Sequence, residues 1–270
     1  SGSDADLLKF ANLALDKAKN SGRNRYVFYN MEISLRVEHD AEMLKKLKQA
    51  ARNKNFLPYY QPVFCVKTNK IKGAEVLLRW VRSENDIVAA AEFIYLLEST
   101  SLMCDISRDL IAKVCAQVAQ WHEDGLWSYD TRIMFNLCAG DIRGARFVDK
   151  FLFCLEEHGL PAAMFEFEMT EREIFQDTNS VMEQLSRIVG AGATLAIDDF
   201  GTGYSGLNYL KKMPVSTLKI DKTFIDGILD DKYDKLLING IIEICRAMDL
   251  DTVAEGVEDA GQLAALQAIG

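Results

Sequence analysis

FEFEMTEREIFQDTNSVMEQLSRIVGAGATLAIDD, residues 165–199, shows the plan of the chain in one stretch. Its two ends, Phe165–Thr170 and Thr194–Ile197, are short apolar or β-branched runs of the kind that form strands. Between them, residues 180–190 space their apolar side chains as an amphipathic helix does. Strand, helix, strand is the unit that sets two parallel strands side by side with the helix packed outside. Acid marks each strand end: Glu168 in the first, Asp198-Asp199 closing the second.

The same alternation extends in both directions. Runs at Tyr59–Val66, Ile71–Leu78, Arg132–Leu137, Ser216–Ile220 and Asp251–Ala254 join the two above, and helical stretches at 105–122, 145–158 and 233–248 separate most of them. Seven candidate strands after Pro58 predict an α/β fold of the (β/α)8, TIM-like barrel type in preference to an open sheet. The first two runs are joined only by Lys67-Thr68-Asn69-Lys70, so that pair is expected to be antiparallel. An eighth strand would have to come after Gly270. The expectation is that the protein continues past it, because an open barrel would leave unpaired edges.

Before the barrel, residues 5–20 are apolar at helical spacing and stop at Ser21-Gly22. Arg25–Tyr29 is a β-prone run, and residues 32–53 form a second helix closed by Asn53–Pro58. One helix and one short strand cannot build a core. Residues 1–31 therefore read as a tag remnant (Ser1-Gly2-Ser3) and the tail of another domain, 32–55 as a linker helix, and 56–270 as the barrel.

The 270 residues are 49% hydrophobic and 26% charged, which excludes wholesale disorder. A net charge of -9 argues against a nucleic-acid polymer as partner but leaves room for a small anionic ligand at one site. The longest apolar run, Ile87–Leu97, is interrupted by Glu92, so no segment is expected to span a membrane. Cys65, Cys104, Cys115, Cys138, Cys154 and Cys245 include no CxxC pair, and His39, His122 and His158 are scattered. That pattern suggests reduced thiols in the cytoplasm and speaks against a structural zinc site.

What ends each strand carries the chemistry. Glu75 lies in the second run, Asn136 closes the third, Glu168 lies near the end of the fourth and Asp198-Asp199 close the fifth. Lys219 sits at the end of the sixth and Glu255 closes the seventh. In a β/α barrel these ends converge on one face, where active sites lie. Taken singly, a polar residue at a strand end is most often a helix cap or a solvated loop residue. Repetition over successive strands is what favours a shared site. Carboxylates brought together repel and desolvate at high cost unless cations stand among them, and oxygen ligands select Mg²⁺ or Mn²⁺ over zinc. Two such ions bridged by an aspartate suit attack on a phosphodiester.

Two motifs mislead. Gly201–Gly206 matches GxGxxG, yet two aspartates stand before it and would repel a pyrophosphate. Asp199-Phe200-Gly201 matches the kinase DFG without an HRD loop or a Gly-rich loop and lysine. The glycines read better as a flexible loop beside the acids.

Glu75-Val76-Leu77-Leu78-Arg79-Trp80 resembles the signature of EAL-domain cyclic-di-GMP phosphodiesterases, with valine for the middle alanine. Tyr60-Gln61-Pro62, Phe135-Asn136-Leu137, Glu166–Glu171, Asp198–Tyr204, Leu218–Asp221 and Ala254–Glu258 follow in that family's order over residues 56–270. Ala11–Tyr29 resembles the close of a GGDEF domain, without that domain's catalytic loop. The resemblance implies hydrolysis of cyclic di-GMP to linear pGpG with Mg²⁺ or Mn²⁺, two per site, and the longer bonds of Ca²⁺ predict that it inhibits. It implies Glu75, Asn136, Glu168, Asp198 and Asp199 as metal ligands, with Lys219 holding the attacking water and Glu255 as base or second-metal partner. Gln61, Leu77 and Arg79 would touch the nucleotide, with the Arg79 guanidinium on a phosphate. Glu171, Gly201, Thr202, Gly203, Tyr204 and Glu258 would form the supporting shell and loop. Cys138-Ala139-Gly140-Asp141 departs from the family's Ser-x-Arg-Gln, and Ser107 stands where an aspartate is common.

A second reading stays open: a receptor that binds cyclic di-GMP without turnover and signals through its partner domain. The parent protein is expected to be a cytoplasmic GGDEF–EAL tandem, compatible with an inner-membrane anchor elsewhere. Ile238, Ile241, Ile242 and Ile244, within 226–248, are consistent with a buried barrel helix or with a homodimer face.

Overall fold

Strand β1 (Phe56–Phe64) turns back into β2 (Ile71–Ser83), antiparallel as the short connection requires, with Gln61 opposite Glu75. The computed structural model describes residues 8, 10–12, 14, 15, 19, 24, 26–98, 100–171, 173, 178–201, 210 and 213–269. A short strand, β3 (Asp86–Ala89), pairs with the far end of β2. From β2 onward the sheet is parallel, through β4 (Arg132–Asn136), β5 (Phe165–Thr170), β6 (Thr194–Phe200), β7 (Thr217–Ile220) and β8 (Asp251–Ala254). The result is a curled, TIM-like barrel sheet with an antiparallel opening pair, as the spacing of the runs predicts.

Helices fill the crossovers. In chain order they are α1 (Met31–Arg52), α2 (Ile94–Glu98), α3 (Leu102–Glu123), α4 (Ala139–Ile142), α5 (Arg146–His158), α6 (Thr178–Gly190), α7 (Lys222–Asp226), α8 (Lys232–Ala247) and α9 (Ala260–Ile269). α3 packs on α5, and both cover the sheet. There Phe167 meets Phe135, Phe147 and Phe151 at ring centroid distances of 6.0, 5.8 and 4.8 Å.

β5 shows how sequence alternation becomes position. Phe165, Phe167 and Met169 supply the sheet–helix core, yet Glu166 and Glu168 are also buried, because a parallel strand is covered on both faces. Glu166 lies low in the barrel. It accepts hydrogen bonds from Thr217 Oγ1 (2.7 Å), Thr194 Oγ1 (3.1 Å) and the Arg132 guanidinium (3.2 Å). Glu168, two residues on, reaches the mouth.

Some expectations need correction. Tyr26–Tyr29 is not a strand: no neighbouring strand offers it a ladder among the described residues, and Tyr26 and Phe28 are exposed. The apolar run Ile87–Leu97 divides into most of β3, a 3₁₀ turn and most of α2. α2, α4, α7 and α9 were not foreseen, the first three being too short to show a period. Ile238, Ile241 and Ile242 are buried against the barrel, so α8 spends them on the core. No described helix is long and apolar enough to cross a membrane.

Candidate active site

The acidic residues meet because parallel strands in register end together. Asn136 is opposite Glu168, Thr170 is opposite Asp198, and the Glu255 amide continues the β7–β8 ladder by donating to the Ile220 carbonyl. β2 pairs with β4 only from Gly73 to Val76, so Glu75 stands at the end of the parallel part although its strand runs on to Ser83.

Lys219 Nζ is the hub. It lies 2.7 Å from Glu168, 2.7 Å from Glu255, 3.2 Å from Asp198 and 3.8 Å from Glu75. The Asn136 side-chain amide donates to Glu75 Oε1 at 2.8 Å. Burial alone would push the ammonium of Lys219 down. The surrounding carboxylates of Glu168, Asp198, Glu75 and Glu255 outweigh it and hold the lysine charged. Burial above all, with Glu75 and Asp198, pushes the Glu168 carboxyl up against the pull of Lys219. Glu255 is raised in the same way, and Asp199 is raised by burial and then by Asp198 and Asp221.

Adjacent strand residues normally point to opposite faces. Asp198 and Asp199 escape that rule because the β6–β7 register shifts between Ile197 and Phe200, and Asp199 takes a left-handed φ of 53°. A bulge of this kind re-aims side chains beside a site, and aspartate tolerates the conformation better than most residues. Asp198, Asp199 and Glu255 thus bring carboxylate oxygens within 4.8 Å of one another. Gly201 follows with φ of 99°, and a Cβ there would lie 2.8 Å from the Phe224 ring.

Glu75, Glu168, Asp198, Asp199 and Glu255 gather around the one Lys219 ammonium, with Asp221 beside Asp199, so negative charge is in excess by at least four if all ionise. Two divalent cations carry that charge, and the donors are all hard oxygens. The residues present fit such ions.

Glu75, Leu77 and Arg79 share one face of β2, and Arg79 stands 5.9 Å from the Tyr59 ring centroid. Gln61 is exposed on β1. Glu171 is buried. Glu258 is exposed, and its carboxylate pairs with Lys222. Thr202, Gly203 and Tyr204 lie outside the described residues. Glu173 was overlooked: it accepts from Thr170 N (3.0 Å), Thr170 Oγ1 (2.8 Å) and Ala139 N (3.1 Å), tying the end of β5 to α4. The Thr-x-x-Glu spacing of a capping box was the available signal.

The EAL domain family matches residues 44–270. The chain belongs to the EAL domain family. This EAL domain is 35% identical over 95% of its length to the signaling protein YkoW of Bacillus subtilis. It is 32% identical over 98% of its length to the bifunctional diguanylate cyclase/cyclic di-GMP phosphodiesterase MucR of Pseudomonas aeruginosa. It spans 32% and 38% of those relatives' lengths. Among solved structures, the MucR phosphodiesterase in complex with c-di-GMP superposes with a TM-score of 0.78 at 33% identity, covering 85% of this chain and 92% of that one.

Proposed function

We propose that this EAL domain hydrolyses cyclic di-GMP to linear pGpG. The observation that carries the reading is the convergence of Glu75, Glu168, Asp198 and Glu255 on Lys219, with Asp199 re-aimed by the β6 bulge to join them. Glu75, Asn136, Glu168, Asp198 and Asp199 would hold two Mg²⁺ or Mn²⁺ ions, which supply Lewis-acid activation of the phosphodiester and of water.

The chain's own groups do the rest. Glu255 accepts the proton of the attacking water, a role that a carboxylate raised by burial performs better than an exposed one. Lys219 donates to that water while keeping Glu168 and Glu255 in place. Water adds to phosphorus, the bond to the 3′ oxygen breaks, and the departing oxygen takes a proton, leaving the phosphate on the 5′ side. Arg79 clamps the second phosphate, and Gln61 and Leu77 line the nucleotide's path along β1 and β2. Glu171 and Glu258 steady the loop that follows β6 and the turn that follows β8. Residues 1–31 would hold a tag remnant and the tail of a GGDEF-like domain, and residues 32–55 would be the helix that links it to the barrel.

Incubating the purified chain with cyclic di-GMP and Mn²⁺ and resolving products by chromatography tests this. Appearance of pGpG supports the enzyme. Tight binding with no product would make the domain a receptor.

A further inference from the structure

Two departures from the family pattern, Ser107 and Cys138–Asp141, fall at one place in the fold. Where the first turns of α3 meet the N-terminus of α4, Cys104 Sγ, Cys138 Sγ and an Asp141 carboxylate oxygen lie within 4.8 Å of one another. Both cysteines are partly exposed, so an ion could enter, whereas Asp141 is 2% exposed.

Asp141 Oδ2 accepts from the Cys138 amide at 3.3 Å and from its thiol at 3.1 Å. Its Oδ1 and the Ser107 Oγ, on a residue 1% exposed, are both buried, and no hydrogen bond of normal geometry reaches either among the described residues. Burial pushes the Asp141 carboxyl up, and the nearby Cys138 and Ser107 offset only part of that. Ser107 is thus the neighbour that faces the carboxylate. Buried acceptors are seldom left unmet in native proteins. Gly140 completes the arrangement: a Cβ there would lie 2.8 Å from Cys104 Sγ, so only glycine lets that thiol approach.

We propose that Cys104, Cys138 and Asp141 bind a borderline-soft divalent cation of the Zn²⁺ class, at a site separate from the carboxylate cluster. Two thiolates and one carboxylate leave a fourth, tetrahedral position for water. Sulfur ligands select Zn²⁺ over the hard ions that suit the oxygen-only mouth. No CxxC pair and no nearby histidine marks such a site along the chain. The fold supplies instead two cysteines 34 positions apart. A bound ion would tie the segment following Asn136 to α3.

Co²⁺ is the probe. The reduced full chain, with excess Mg²⁺ occupying the oxygen site, is titrated with Co²⁺. Sulfur-to-cobalt charge-transfer absorption with tetrahedral d–d bands is expected at a single equivalent, bleached by Zn²⁺ and lost in Cys104→Ala and Cys138→Ser. Cys245→Ala should keep the signal. Gly140→Ala, which removes no ligand but crowds Cys104, should weaken binding by about tenfold or more. Absence of the absorption, or its persistence in both cysteine variants, would overturn the site. If those variants fail to fold by circular dichroism, alkylation of the parent chain decides. Zn²⁺ must protect Cys104 and Cys138 in peptide mass maps, and equal labelling with and without Zn²⁺ rejects the proposal.

Discussion

Glu255 stands 2.7 Å from Lys219 Nζ, and a glutamine would keep that contact, its size and its packing while losing the ability to take a proton. Glu255→Gln is therefore expected to slow pGpG formation by about 10²-fold or more, the range of a positioned general base. Cyclic di-GMP binding with metal present should survive, and rates within a few-fold of the parent would remove Glu255 from that role. Asp199 offers a cleaner charge test than the other proposed ligands. Its φ of 53° is a conformation that asparagine also accepts, so Asp199→Asn changes the charge and leaves the bulge. Activity should vanish with Mg²⁺ and with Mn²⁺ alike while the melting temperature holds. Measurable turnover with either ion would show that Asp199 is dispensable.

Among the elements, α8 is a sixteen-residue helix whose apolar face closes the β7–β8 side of the core. Asp231 caps it, its carboxylate accepting from the Tyr233 amide at 2.7 Å. Removing the cap in Asp231→Ala should cost about 1 kcal/mol and lower the melting temperature by roughly 2–4 °C for a domain of this size. Hydrolysis at 25 °C should be unaffected, because Asp231 contributes nothing to the mouth. Calorimetry and the pGpG assay check the two halves separately. Glu173 acts at the same scale nearer the chemistry, joining the strand that presents Glu168 to the helix that follows Asn136.

For the molecule as a whole, the proposed two-ion site makes the choice of metal a test. Mg²⁺ binds oxygen at about 2.0–2.1 Å in a near-octahedral shell, whereas Ca²⁺ takes more ligands at about 2.3–2.6 Å. A pair of ions roughly 3.5–4 Å apart aligns attack with departure, and longer bonds spread that pair. Mg²⁺ and Mn²⁺ are expected to support hydrolysis, while Ca²⁺ supports binding and inhibits in competition with them. Steady-state rates across the three ions, with EDTA-dialysed protein as blank, give the answer. Full turnover in Ca²⁺ or in EDTA would overturn the two-metal reading.

The division between what is local and what is not decides how much could be read in advance. Strand and helix periods are local, so the βαβ alternation, the antiparallel first pair and the acid at the strand ends are legible in the residues themselves. Glu166 and Glu168 look equivalent in FEFEM. Only the parallel register sends one to the threonines and Arg132 low in the barrel and the other to Lys219. Asp198 and Asp199 read as opposite-facing neighbours, and only the shifted pairing with β7 turns both toward Glu255. Cys104 and Cys138 show no relation in the chain, and α3 and α4 bring them together. The sequence by itself determined the barrel class, its family and the set of acids. Pairing register and helix packing, which depend on partners far along the chain, decided which of those side chains meet.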